Sequence, residues 1–451
     1  MSRVRVLIGC LTGFLAVCVL DNQMWKKEPA QQAFHRELEE ALYREKSTET
    51  EKETTDATKQ REPQKKEKAA KTVTTEQNER DVMIRVLIKS DDYESEFHRS
   101  ITVLADGKRV ELTPESPEFE NTNPIHIHPI SGGFTLPQLR RAQKAPVYEG
   151  DLEIYRREEG LLLVNELPLE EYLCAVVPSE MPSGYPMEAL KAQAVCARTY
   201  ALKQRQEGRA EEFYADVDDS VSYQVYNNQG QAKSTDQAVL DTAGMVLEQD
   251  GELADALYYS TSCGLNTAQD FSEETVFASA IISEEQSAYE AEEPWYRWRT
   301  QISLASSENI REISVKERTE QGAVQILQVI RDTAAGEMTE NVVGEYQIRA
   351  FLAEFQPVVE LQDKTVMEQL KLLPSAFFIL RPIYADGALS GYEIIGGGYG
   401  HGQGMSQNGA KHMALEGMGF EEILSQYYKG AQLAVYDEAA EQERAHHMGR
   451  D

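Results

Sequence analysis

Residues 167–202 constrain this chain more than any other stretch. The run LPLEEYLCAVVPSEMP (167–182) reads as a helix from about Leu169. That helix is expected to end near Pro178, because an interior proline removes a backbone hydrogen bond and collides with the preceding turn. The run SGYPMEALKAQAVCARTYAL (183–202) starts a second helix with Pro186 in the tolerated first-turn position. Ala189, Leu190, Ala192, Ala194, Val195, Cys196, Ala197, Ala201 and Leu202 occupy every side of it, so it is expected to be buried all round rather than amphipathic. Arg198 lies on the same helix, and a cation drawn into the interior needs a carboxylate or several acceptors. Glu180, placed by this reading in the connection between the helices, is one candidate partner.

The rest of the chain is organised around that pair. Two basic residues precede an apolar or small run at 6–20, which predicts an uncleaved N-terminal signal anchor over 1–25, a cleaved signal being the alternative. Residues 26–80 are rich in Lys, Glu, Gln and Thr and bury too little apolar surface to offset their ordering entropy, so they are expected to form a disordered charged tether. Ordered structure is expected over 81–436, beginning with the β-rich run VMIRVLI (82–88), with a polar tail at 437–451. Short strands continue to about Val164, helices follow, strands return from about Leu253, and the last clear helix covers 420–428. Residues 265–375 are a possible second lobe that walls a groove, with a strand at 324–330 and a helix at 344–355. Strands and helices are not regularly interleaved, which predicts an α+β fold.

Charge narrows the function. The chain carries 45 Lys+Arg against 76 Asp+Glu, and residues 81–451 hold 30 of the basic and 62 of the acidic residues. So acidic a domain lacks the clustered cations that nucleic-acid binding requires. Five cysteines exclude a disulfide-dense scaffold. Cys174 and Cys196, on apolar helices, read as buried free thiols. His126 and His128 alternate on one face of a strand; with no cysteine or carboxylate at ligand spacing, a structural or solvent-facing role outweighs metal binding.

The two-helix segment resembles the stage II sporulation protein D (SpoIID) family, related to the LytB amidase enhancers. Two further blocks match in the same order, YYSTSCG (258–264) and GGGYGHGQGMSQNGA (396–410), with LPSAFF (373–378) between them. The resemblance implies a membrane-anchored lytic transglycosylase that cuts peptidoglycan glycan strands, in denuded form, during engulfment of the forespore. It implies Glu180 as the catalytic acid and Arg198 as an active-site residue. It also implies partners, the amidase SpoIIP and the membrane protein SpoIIM, and an extracytoplasmic domain between mother cell and forespore.

Glycosidases ordinarily need two carboxylates. A lytic transglycosylase manages with one, because the substrate's own C6 hydroxyl attacks the anomeric carbon and closes a 1,6-anhydro ring. Arg198 is therefore expected not to form a tight salt bridge with Glu180, but to orient the saccharide or pair with another carboxylate. Tyr399 and His401 suit saccharide stacking and hydrogen bonding, and Gln403, Ser406 and Gln407 lie between the same glycines. As a phosphate loop that block fails, since no Gly-Lys-Ser/Thr end follows. Ser260 and Ser262 offer hydroxyls to a sugar groove, or belong to an ordinary turn. Two departures from the family stand out. Tyr259 occupies a position where many relatives have His. The stretch DVDDSVSYQVY (216–226), where some members place zinc ligands, has neither Cys nor His, so a metal-independent enzyme without cofactor is expected. The competing reading is a non-catalytic amidase enhancer or scaffold of the LytB type.

Overall fold

The computed structural model describes residues 82–438, apart from 92, 143, 229–231, 266–268, 284–287 and 306–308. The expected anchor (1–25) and tether (26–80) lie outside the described residues, as does the tail beyond residue 438. Among the described residues no helix is long and apolar enough to cross a membrane.

The fold is mixed α+β. Its helices are α1 (Leu169–Glu180), α2 (Met187–Glu207), α3 (Lys233–Asp241), α4 (Glu274–Ile281), α5 (Glu345–Ala353), α6 (Gln407–Leu415) and α7 (Phe420–Tyr427). The first five-stranded sheet runs, in spatial order, Ile125–Ile127, Asp151–Arg156, Leu161–Pro168, Met83–Leu87, Val217–Asp218. Its neighbours are antiparallel except for the last pair, which is parallel. The strand Leu161–Pro168 feeds directly into α1, and Leu169 N–H donates to the Val82 carbonyl at 2.8 Å, so sheet and helix are joined without a loop.

Helix α2 is the hub. It packs on α1, α3, α6, α7 and the strand Met245–Gln249, which is why small and apolar residues surround it. Residues of its successive faces enter two different cores: Ala194, Ala197 and Leu202 join the sheet core with Ile84, Leu163 and Tyr172, while Leu190, Val195 and Cys196 join Met405, Ile423 and Tyr428. A further core, around Trp298, Ile302, Leu327, Leu352, Phe378 and Ile394, fills the second five-stranded sheet and the meander of Ile310–Arg318, Val324–Thr333 and Gly336–Val343. Helix α5 covers that meander.

Several expectations shift. Helix α1 does not stop at Pro178 but runs to Glu180, with Met181 N–H closing on the Val177 carbonyl at 2.9 Å. A proline in the last turn removes only one internal bond, and packing of Tyr172, Leu173, Val176 and Val177 holds the turn in place. Strands resume at Met245 rather than near Leu253. Cys196 is buried, but Cys174 is only half-buried. His126 and His128 do share a face, their rings stacked 5.7 Å apart. Across the strand pair Glu153 lies 3.5 Å from His126 Nδ1 and Asp151 2.8 Å from His128 Nδ1, carboxylates that the linear spacing does not reveal.

Candidate functional site

Glu180 ends α1 and is 5 % exposed. Its Oε1 accepts the Val225 N–H at 2.7 Å, and its carbonyl accepts Gln407 Nε2 at 3.1 Å. The C-terminal pole of a helix works against negative charge, which makes the amide donation from Val225 the local compensation. Buried phenols stand around it. Tyr172 and Tyr258 are held protonated far beyond neutral pH, first by burial and then by nearby groups that include Glu180. Gln224 ties them together: its Nε2 donates to Tyr258 Oη at 3.0 Å, and its Oε1 accepts from Tyr172 Oη at 3.3 Å. Gln193, fully buried on α2, accepts from Gln407 Nε2 at 3.3 Å, while its own Nε2 has no partner.

The distant sequence blocks meet here. Tyr258–Tyr259 and Met405–Ser406 form a parallel two-stranded ladder, and Thr261 and Tyr399 exchange backbone hydrogen bonds of 3.1 and 2.8 Å. Ser375 Oγ donates to the Gly397 carbonyl at 2.7 Å, which brings the 373–378 block onto the glycines. Gly404 shows why glycine is needed: at φ +75°, a Cβ there would lie 1.8 Å from the Leu257 carbonyl oxygen. Ser406 caps α6, its Oγ accepting Gly409 N–H at 3.0 Å and Ser262 N–H at 3.3 Å. Asn408 reaches three ways: its N–H donates to the Ser260 carbonyl (3.0 Å), its Nδ2 to Thr261 Oγ1 (2.9 Å), and its Oδ1 accepts from Tyr185 Oη (2.5 Å).

Of the residues expected in the site, Ser260, Ser262, Tyr399, His401, Ser406 and Gln407 join one hydrogen-bonded web with Glu180. Within it, most have internal duties. His401 Nδ1 accepts the Gln403 N–H (3.1 Å), so Nε2 carries the proton and donates to the Tyr258 carbonyl at 3.0 Å. Burial lowers its pKa, keeping the imidazole neutral. Tyr399 is buried against Trp295, ring centroids 4.1 Å apart. Ser262 Oγ accepts Gly264 N–H at 2.9 Å, and Ser260 Oγ lies 3.1 Å from Thr261 Oγ1. Gln403 is exposed.

Arg198 is placed elsewhere. It is fully buried, and its Nε and Nη2 donate to the two carboxylate oxygens of Glu170 at 2.7 and 2.6 Å, with Nη1 reaching the Met245 carbonyl at 3.1 Å. Glu170 opens α1 and Glu180 closes it, roughly 15 Å apart at 1.5 Å per residue. The guanidinium therefore locks α1 to α2 at the end away from Glu180.

The 216–226 stretch is filled by charge pairs. Asp219 makes two hydrogen bonds with Arg141, at 2.9 and 2.7 Å, both side chains fully buried. Asp218 accepts from Ser220 and faces Lys89 Nζ at 3.8 Å. Among the described residues no three His, Cys, Asp or Glu side chains converge as metal ligands.

Sequence reasoning singled out neither Gln224 and the Val225 amide nor Asn408, Tyr185 and Gln193. Gln224 sits inside the stretch discussed for zinc, and Asn408 inside the glycine-rich block, but nothing in their local sequence says which way they point.

Comparisons with known proteins identify relatives of the chain. The profile of the stage II sporulation protein family matches residues 157–248, and that of a domain of unknown function matches residues 237–404. Stage II sporulation protein D of Bacillus amyloliquefaciens is 30% identical over 290 residues, 61% of this chain and 76% of that protein. Its namesake in Bacillus subtilis (strain 168) is 28% identical over 320 residues, 67% of this chain and 84% of that protein. The amidase enhancer of the same organism is 28% identical over 300 residues, covering 58% of this chain but 40% of that protein. The chain belongs to the stage II sporulation protein D family.

Proposed function

We propose that this protein is a lytic transglycosylase acting on denuded peptidoglycan glycan strands during sporulation engulfment, with Glu180 as its acid and base. The observation that carries the reading is a buried carboxyl at the meeting point of sequence blocks drawn from residues far apart in the chain. Glu180 protonates the oxygen between MurNAc and GlcNAc; the bond to the anomeric carbon breaks and the GlcNAc hydroxyl departs. The C6 hydroxyl of the same MurNAc closes on the anomeric carbon and returns its proton to Glu180. One carboxyl serves both steps, so no second nucleophile is required. The Val225 amide and Gln407 fix the end of α1, and the protonated phenols limit water around the carboxyl.

In this reading an amidase that strips stem peptides, SpoIIP, supplies the substrate, and SpoIIM shares the membrane site. The acidic domain lies outside the cytoplasm, tethered through the N-terminal segment.

Purified protein incubated with denuded glycan is expected to release fragments ending in 1,6-anhydro-MurNAc, detected by mass spectrometry. Glu180→Gln is expected to abolish that release while the circular dichroism spectrum and thermal midpoint stay at wild-type values. Full activity in the variant sinks the assignment. Likeness to an amidase enhancer supports one alternative, a non-catalytic scaffold. Absence of anhydro ends together with faster amidase turnover in the presence of the protein selects it.

A further inference from the structure

A buried carboxylate that the proposed chemistry does not use stands behind α6. Glu290 is 4 % exposed and packs against the first turn of α6, the turn that Ser406 caps. Gly409, in the first turn of α6, leaves room for the contact: a Cβ there would lie 2.4 Å from Glu290 Oε1 and 2.1 Å from Tyr427 Oη. Three residues on, Glu293 accepts from His412 Nε2 at 2.6 Å and Lys411 Nζ at 3.0 Å. Two carboxylates thus bear on α6, Glu290 at Gly409 and Glu293 at Lys411 and His412. Gln407 and Asn408, from the same first turn, reach instead to the Glu180 carbonyl and the Tyr185 hydroxyl.

Burying an ionisable group behind a helix that already has a serine cap is costly, and an apolar side chain would fill the space at lower cost. The N-terminal pole of α6 repays part of that cost by favouring negative charge. Burial nevertheless raises the Glu290 pKa, with Glu293 adding to the rise and His412 opposing it. Tyr427 on α7 lines the same space, its hydroxyl beside Gly409.

We propose that Glu290 is a positioning residue of the candidate site: by packing its carboxylate against the first turn of α6 at Gly409, it sets where Gln407 and Asn408 hold the end of α1 and the loop that follows Glu180. The proposal rests on Glu180 as the reacting group, and its test separates the two ideas. Glu290→Gln and Gly409→Ala disturb the same contact from opposite sides. In each, amide hydrogen exchange at Val225, the donor to Glu180, is expected to accelerate about tenfold, while Val329 in the distant meander keeps its wild-type rate. Release of anhydro product is expected to lose about tenfold or more in kcat, with KM within about twofold of wild type. Wild-type exchange at Val225 in both variants overturns the proposal, as does equal acceleration at Val329, which marks general destabilisation. If the wild-type protein forms no anhydro product, the transglycosylase reading fails and the exchange comparison alone decides the role of Glu290.

Discussion

Arg198 and Glu170 form a pair in which only one partner is desolvated: the guanidinium is fully buried, and the carboxylate side chain keeps 40 % of its exposure. Such a pair contributes less than a wholly buried one, but removing its cation leaves the Glu170 carboxylate without its counter-charge and takes a donor from the Met245 carbonyl. Arg198→Met is therefore expected to cost about 2–3 kcal/mol in urea unfolding. KM for glycan in the folded fraction should stay within about twofold. A large rise in KM at unchanged stability would instead place Arg198 against substrate. The need for a carboxylate partner is legible in the sequence; its identity follows from geometry. In a helical hairpin, residues equidistant from the connection meet, and Gly184 lies midway between Glu170 and Arg198. Glu180, beside the turn, meets Val225 and Gln407 instead.

At the scale of elements, α1 shows how context overrides a local rule. Pro178 forbids a continued helix only where the lost bond is not outweighed, and here four buried side chains on one face hold the last turn. For the proposed chemistry the consequence is that Glu180 is the rigid end of a helix rather than part of a loop. The 216–226 segment is a second case in which tertiary contacts give local residues their partners. Its carboxylates are engaged, Asp216 by the Arg85 amide at 2.9 Å, Asp218 by Ser220 and Lys89, and Asp219 by Arg141. Carboxylates paired in this way are poor ligands, and no Cys or His stands beside them in the sequence. Elemental analysis of purified protein is expected to find no stoichiometric zinc, and a chelator should leave the thermal midpoint in place. One zinc per chain would overturn the assignment.

At the scale of the whole molecule, the buried charge network couples folding to pH. Burial pushes the Asp218 carboxyl up to about 6 from its ordinary 3.8, against the pull of Lys89 and Ser220. The folded state thus binds this proton more tightly than the unfolded state, so the contribution to stability is complete below about pH 4 and is lost as pH rises through 6. Asp218→Asn should remove it, and the stability difference between wild type and variant should change by about 2 kcal/mol between pH 4 and pH 7 in denaturant titrations. A constant difference across that range would exclude Asp218 as the coupling group. Other features of the molecule were readable from the chain alone. Apolar and small residues on every side of 187–207 dictate a helix at the centre of the fold, because only complete burial satisfies such a surface. The run 82–88 and the glycine block likewise announce a strand and close backbone contacts. The tertiary structure alone decided which carboxylate Arg198 meets, that His401 and Tyr399 turn inward to protein partners, and that Val225 and Gln407 hold Glu180. Those contacts join residues tens to hundreds of positions apart, and their directions are set by helix register and sheet pairing, which one-dimensional patterning does not encode.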